Sequence, residues 1–159
     1  MENVNMNEQI EQERNKKDEG LSRFLEFTLG EEDFAVPLLE VREVISVPET
    51  TPIPDAKNYY VGIMNLRGQV ITIIDLRKKM GITPQTENKE EAVIILNHGE
   101  GHIGVVVDSI NSVLALESSQ ILDMPQVEGS KHANNIDGVF KQEDRFTVLL
   151  DVNKLLGDL

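Results

Sequence analysis

The chain contains two similar halves, and this duplication constrains its fold more than any other feature of the sequence. Two blocks recur in the same order. The first pairs Gly30, Glu31, Phe34, Val36, Leu38, Val41 and Val44 with Gly99, Glu100, Ile103, Val105, Val107, Ile110 and Val113. The second pairs Gly62, Val70, Ile74, Asp75, Lys78 and Gly81 with Gly138, Phe146, Leu150, Asp151, Lys154 and Gly157. Two blocks repeated in order predict a pair of similar β subdomains.

Short apolar segments separated by turn residues are typical of small β-barrels. We expect one folded domain over residues 21–159, with a first subdomain over about 21–81 and a second over about 91–157. Residues 1–20 hold six acidic and three basic residues but few apolar ones, which predicts a disordered acidic tail. The alternative for this segment is a frayed helix with Met6 and Ile10 on one face.

The stretch 60–81 is predicted to form a β-hairpin followed by a short helix. Gly68 supplies the positive φ of the turn, Asp75 is the expected N-cap, and Gly81 ends the helix. Asp151 occupies the equivalent capping position in the second half, and we interpret Asp108, which follows another strand, in the same way. N-capping explains these aspartates better than a catalytic acid and base pair does.

Composition excludes several classes of function. The chain has 15 basic and 28 acidic residues, so its net charge of −13 argues against binding to nucleic acid or anionic lipid. It lacks cysteine, which excludes disulfides and cysteine metal sites. No apolar run reaches the roughly 18 residues of a membrane span, and the N-terminus lacks a secretory signal, so we expect a soluble cytoplasmic protein.

No group of residues assembles the parts of an enzyme. His98 and His102 are separated by glycines that break helical spacing, and His132 is distant, so we expect surface histidines and no metal. No phosphate-binding loop or nucleophile elbow is present. These observations predict a non-enzymatic protein without cofactors.

Arg67 is the most informative single residue, because it is the strongly polar residue at the hairpin tip. It is either a solvated turn residue or an arginine that holds a carboxylate, for which its planar guanidinium is suited. Val41, Val44 and Ile45 have two interpretations as well: they belong to the core or they line a binding surface.

The residues Asn65-Leu66-Arg67-Gly68, Val70 and Ile74-Asp75-Leu76-Arg77 resemble the central motif of the CheW-like chemotaxis coupling proteins. The resemblance extends over about residues 24–156, and it departs from the family at Thr72, where proline is common. It implies an all-β fold of two SH3-like five-stranded barrels with short helices and a C-terminal helix.

By this resemblance the chain is an adaptor that couples chemoreceptors to a CheA-type histidine kinase. The receptor's cytoplasmic tip would occupy a groove between the barrels, lined by Val41, Glu43, Val44, Ile45, Arg67 and Val113. The kinase's regulatory domain would meet the adaptor end to end, and partners would recruit it to membrane arrays without insertion. The alternatives are a coupling module of a non-chemotactic receptor array and a small-ligand-binding β-barrel.

A more specific hypothesis concerns Arg67 and Glu43. Both belong to the first half, and we expect them to form an ion pair that holds the groove segment in a binding-competent shape.

Overall fold

The computed structural model describes residues 2–16, 20–85, 90–124, 135–157 and 159. Within these ranges the strands are β1 (Leu21–Leu29), β2 (Glu32–Pro37), β3 (Val41–Ser46), β4 (Tyr60–Leu66), β5 (Gln69–Asp75), β6 (Ala92–His98), β7 (Gly101–Val107), β8 (Ser109–Glu117), β9 (Ile121–Leu122), β10 (Ile136–Gln142) and β11 (Arg145–Leu150). The α-helices are α1 (Glu2–Arg14), α2 (Leu76–Met80) and α3 (Val152–Leu156). Short 3-10 helices, Leu38–Glu40 and Ser118–Gln120, precede β3 and β9.

The strands described form two sheets, which confirms the predicted all-β fold of two SH3-like units with few helices. One sheet has five strands in the order β3-β6-β7-β5-β4. The other has six in the order β8-β1-β2-β11-β10-β9, where the sequence predicted five. The sixth is the two-residue strand β9, which is too short to be recognised from an apolar pattern.

The predicted subdomain boundaries, 21–81 and 91–157, differ from the sheets that form. The β1–β2 hairpin of the first half joins β8–β11 in the six-stranded sheet, and the β6–β7 hairpin of the second half joins β3–β5. The exchange is symmetric in detail: Phe27 lies opposite Ile110, and Leu96 lies opposite Val41. Each half therefore completes the other's sheet, so neither half is an independent unit.

The core follows from side-chain alternation along the strands. On β6, Ile94 and Leu96 belong to the largest buried cluster, which also contains Phe27 of β1, while Val93 and Ile95 face a smaller cluster in the five-stranded sheet. Successive strand residues point to opposite faces, so one strand contributes to both clusters. The largest cluster includes residues of both sheets and joins them.

Each half contains an equivalent β-bulge that only glycine fits. Gly62 has φ 151° and Gly138 has φ 158°, and the strand register shifts beside both. A Cβ atom at Gly62 would lie 2.5 Å from the carbonyl oxygen of Thr51, and one at Gly138 would lie 2.8 Å from that of Leu122. The repeated glycines thus permit close backbone approach at the same place in both halves.

The N-terminal segment is helical where the sequence predicted a disordered tail. Helix α1 packs on β3 and β8, one edge strand of each sheet. Ile10 is 1% exposed and belongs to the largest core cluster, and Met6 packs against that cluster. Burial of these two residues on one face matches the helical alternative, and tertiary packing supplies the stability that the polar composition lacks.

Candidate functional site

The tip of the β4–β5 hairpin is a tight turn with a defined shape. Arg67 has φ 51° and Gly68 has φ 86°, and two consecutive positive φ values are typical of a type I′ turn. The side-chain Oδ1 of Asn65 accepts a hydrogen bond of 2.8 Å from the Gly68 N–H. The motif residues Asn65, Arg67 and Gly68 therefore build the turn and direct the guanidinium out of it.

The structure contains the expected ion pair between Arg67 and Glu43. Arg67 Nη2 lies 2.6 Å from Glu43 Oε2, with side-chain exposures of 60% and 20%. The hydrogen bond to Glu43 raises the pKa of the Arg67 guanidinium. The pair joins the hairpin tip to β3, two elements at opposite edges of the five-stranded sheet order.

The other expected groove residues differ in accessibility. Val41 and Val44 are each 1% exposed and lie in the largest core cluster, so in this structure they are core residues and do not line an open groove. Ile45 and Val113 are half-buried and pack against the edges of buried clusters. The apolar pattern of the sequence could not distinguish the buried residues from the half-buried ones, because both groups lie on short apolar strands.

Helix α1 contributes contacts that the sequence did not predict. The amide of Asn7 donates from Nδ2 to the Val44 carbonyl at 2.9 Å, and Asn7 Oδ1 accepts from the Val44 N–H at 2.8 Å. Arg14 donates to the Val41 carbonyl. Because β3 is an edge strand, these side chains satisfy backbone groups that no neighbouring strand pairs. The spacing of Met6 and Ile10 was the feature of the sequence that indicated a helix with an apolar face.

Ion pairs of Glu13 fix the C-terminal end of α1. Glu13 Oε2 lies 3.2 Å from Arg23 Nε on β1, and Lys16 lies 2.7 Å from the other Glu13 oxygen. The hydrogen bond to Lys16, followed by that to Arg23, lowers the pKa of the Glu13 carboxyl. The helix therefore contacts both sheets through specific groups.

A buried ion cluster lies where β5 enters α2. Asp75 accepts from the backbone N–H groups of Arg77 and Lys78 and so caps α2, while Gly81, with φ 70°, ends it. The Arg77 guanidinium contacts Asp75, Glu91 and Asp108 at 2.7–2.9 Å. Burial by itself would lower the pKa of Arg77, but hydrogen bonds to these three carboxylates outweigh it and raise the pKa. This cluster has a structural role.

The interpretation of Asp108 as a helix cap is wrong. Strand β8 follows it, and no helix begins there. Its carboxylate accepts from Arg77 Nη1 and from the Gly30 and Gln85 backbone N–H groups. A short apolar strand followed by aspartate does not specify what comes next, and here the next element is another strand. By contrast, Asp151 accepts from the Lys154 N–H at 3.1 Å and caps α3.

His102 lies in a small polar cluster near Glu43. Arg42 Nη1 is 3.1 Å from its Nε2, and Gln69 Nε2 is 3.1 Å from its Nδ1. Burial, followed by the charge of Arg42, lowers the pKa of His102, and Glu43 opposes this effect. In the described ranges no three His, Cys, Asp or Glu side chains are grouped to hold a metal, and His132 lies outside those ranges.

No helix in the described part of the chain combines the length and the apolar character needed to cross a bilayer.

Comparison with known proteins decides the family. The model of the CheW-like domain matches residues 23–159. The chain belongs to the CheW-like domain family. The matched region begins after α1, so the helix that packs on β3 lies outside the matched residues.

Relatives of known name agree with this family. The chemotaxis protein CheW of Klebsiella aerogenes is 34% identical over 134 residues, which is 84% of this chain and 81% of the relative. The chemotaxis protein CheW of Treponema pallidum is also 34% identical, over 82% of this chain and 79% of its own length. The crystal structure of the scaffolding protein TtCheW from Thermoanaerobacter tengcongensis superposes with a TM-score of 0.77 at 28% identity, covering 85% and 92% of the two chains.

Proposed function

We propose that this CheW-like protein is a non-enzymatic adaptor in chemotaxis that couples chemoreceptors to a CheA-type histidine kinase. The observation that carries the proposal is the CheW-like domain over residues 23–159 with the Arg67–Glu43 pair at its motif. An arginine held by one carboxylate and still 60% exposed can order β3 and keep donors for a partner. The cytoplasmic tip of a chemoreceptor would contact β3, the Arg67 turn and β8.

The kinase would bind where the strands of one sheet end, beside a hairpin turn. Val70 on β5 and Phe146 on β11 are repeat equivalents, and both are large apolar residues more than half exposed. Apolar side chains at sheet ends suit association with the regulatory domain of the kinase, which is expected to have a similar double-barrel fold. The adaptor would then work in the cytoplasm, recruited to membrane arrays by its two partners.

Reconstitution of kinase, receptor fragment and adaptor tests the coupling role, with receptor-dependent kinase autophosphorylation as the readout. The wild-type adaptor should make kinase activity depend on the receptor. Arg67→Glu should impair this coupling while leaving the melting temperature unchanged, because an exposed ion pair adds little to stability. The double variant with Arg67→Glu and Glu43→Arg should recover part of the coupling.

A matched control is available at the equivalent turn of the second half. Glu143 has φ 48° and is exposed, as Arg67 is, so Glu143→Arg reverses a charge in the same backbone setting. This control should couple normally. If the swapped double variant is as defective as the sum of its single variants, Arg67 contacts a partner directly, and if the wild type confers no receptor dependence, the adaptor role is wrong.

Co-purification with the kinase distinguishes the two candidate binding ends. Val70→Asp and Phe146→Asp each place a charge on one exposed apolar position, and the variant that loses kinase co-purification identifies the kinase-binding end. Retention of kinase by both variants would exclude both ends.

A further inference from the structure

Helix α1 covers part of the surface that the proposed function assigns to the receptor, namely β3 and β8 but not the Arg67 turn. It packs on β3 and β8, one edge strand of each sheet, and it buries Ile10 in the cluster that contains Val41 and Val44. This helix lies outside residues 23–159, which the family model matches. A segment from outside the matched residues therefore occupies the place between β3 and β8 where the groove is expected.

The contacts of α1 define what the surface recognises. One amide, from Asn7, clasps the N–H and C=O of Val44 at 2.8 Å and 2.9 Å, as a neighbouring peptide group would. One aliphatic side chain, Ile10, fills the apolar position three residues later. Arg14, four residues further along, donates to the Val41 carbonyl. An amide, an aliphatic and a basic residue with this spacing lie on one face of a helix.

We propose that α1 is an intramolecular mimic of the receptor helix, which must displace α1 from β3 to bind. This inference rests on the proposed function, because it concerns the regulation of the same surface. The receptor helix that fits presents an amide side chain, an aliphatic residue three positions later and a basic residue four positions after that. The polar composition of α1 suits a displaceable occupant, since over residues 5–14, whose side chains the structure describes, Ile10 alone is buried.

Displacement has a quantitative consequence. A partner that binds only the open form sees its affinity reduced by the fraction of molecules in that form. Weakening α1 should therefore tighten receptor binding, by roughly 5- to 150-fold if the coupling has the usual size. Ile10→Asp should give the largest gain, because it removes the buried side chain, and Asn7→Ala should give a smaller one.

The experiment titrates full-length variants with a helical-hairpin fragment of a chemoreceptor's cytoplasmic tip, using calorimetry. Gln9→Ala is the matched control for Asn7→Ala, because Gln9 is an exposed amide residue on the same helix. The control should bind as the wild type does. Circular dichroism checks folding, and if Ile10→Asp unfolds the chain, Asn7→Ala against Gln9→Ala decides the question.

A second readout follows α1 itself. The chain has no cysteine, so Gln9→Cys provides a single labelling site on the exposed face of the helix. The anisotropy of a fluorophore there should fall when the receptor fragment saturates the adaptor, because a displaced helix moves more freely than a packed one. An anisotropy that rises or stays constant at saturation would mean that α1 remains in place, and would overturn the proposal.

The outcomes separate the two levels of inference. Tighter binding by Asn7→Ala and Ile10→Asp supports displacement. Equal or weaker binding by these variants, while Arg67→Glu still reduces receptor binding, overturns displacement and leaves the adaptor function standing. Absence of receptor binding by every variant overturns both.

Discussion

The two strand-to-helix corners have the same backbone and different chemistry. Asp75 has φ −91° and ψ 109°, and Asp151 has φ −90° and ψ 108°. In the first half the residue two positions later is Arg77, whose buried guanidinium contacts three carboxylates. In the second half the equivalent residue is the exposed Asn153, and Asp151 only caps α3.

A second set of equivalent positions also has different side chains in the two halves. His102 contacts Arg42 and Gln69 in the five-stranded sheet. The equivalents of these residues in the six-stranded sheet also form a cluster, in which Asp33 lies 2.8 Å from Arg145 and 3.4 Å from Asn111. Equivalent positions therefore meet in both halves of the molecule. The side chains at those positions determine whether they form an ion pair, cap a helix or include a titratable histidine.

The largest expected effect separates the two corners. Arg77→Met should lower the free energy of unfolding by about 3–5 kcal/mol, because it removes a guanidinium that pairs with the buried carboxylates of Asp75 and Asp108. Asn153→Met at the equivalent position should change it by less than about 0.5 kcal/mol. Urea denaturation measures both. Similar values for the two variants would mean that the ion cluster adds nothing beyond a cap.

The next effect compares equivalent valines. Val44→Ala should lower the free energy of unfolding by about 2 kcal/mol, since Val44 is buried beneath α1. Val113→Ala, at the half-buried equivalent on β8, should cost less than about 1 kcal/mol. Chemical denaturation of the two variants tests the order, and a larger cost at Val113 would reverse the assignment of core and surface.

The two hairpin tips predict a smaller difference. Gly68 has φ 86°, whereas its equivalent Asp144 is not among the residues with positive φ. Gly68→Val should lower the free energy of unfolding by about 1–2 kcal/mol, because a β-branched residue tolerates positive φ poorly. No atom lies within 4 Å of the added Cβ, so the cost is conformational. In thermal melts Asp144→Val should match the wild type, and an equal loss there would contradict this reason.

The smallest effect is a pH dependence specific to the His102 cluster. The folded protein disfavours protonation of His102, because burial and Arg42 lower its pKa from the ordinary value of 6.5. The unfolded chain therefore binds a proton first, and stability is lost as pH falls below about 6.5. His102→Gln should reduce the difference in stability between pH 7.5 and pH 5.5. A larger difference in the variant would mean that folding favours the charged imidazole.

Local features were the most predictable part of the structure. The turn at Arg67 and Gly68 and the caps at Asp75 and Asp151 depend on residues within three positions of one another. The Arg67–Glu43 pair was also anticipated, because both residues lie in the first half beside the same sheet. The burial of Val41 and Val44 was one of two interpretations, and the choice between core and binding surface depends on what packs against β3.

The prediction of a disordered tail in place of helix α1 was wrong for a physical reason. The stability of α1 comes from Ile10 in the core and from the two hydrogen bonds between Asn7 and Val44, which join positions 37 residues apart in the chain. An isolated segment of this composition has too few apolar residues to order itself. The helix becomes stable when it packs on the two sheets.

By itself the sequence determined the two repeats, the all-β architecture, the turns and caps, and the family motif, because each depends on residue types at short or fixed spacing. Only the tertiary structure decided which hairpin completes which sheet and what covers β3. Both halves carry similar strands, so the apolar pattern fits pairing within a half as well as pairing between halves. The exchange lets residues of both sheets share one buried cluster, and that shared core is a property of the assembled chain.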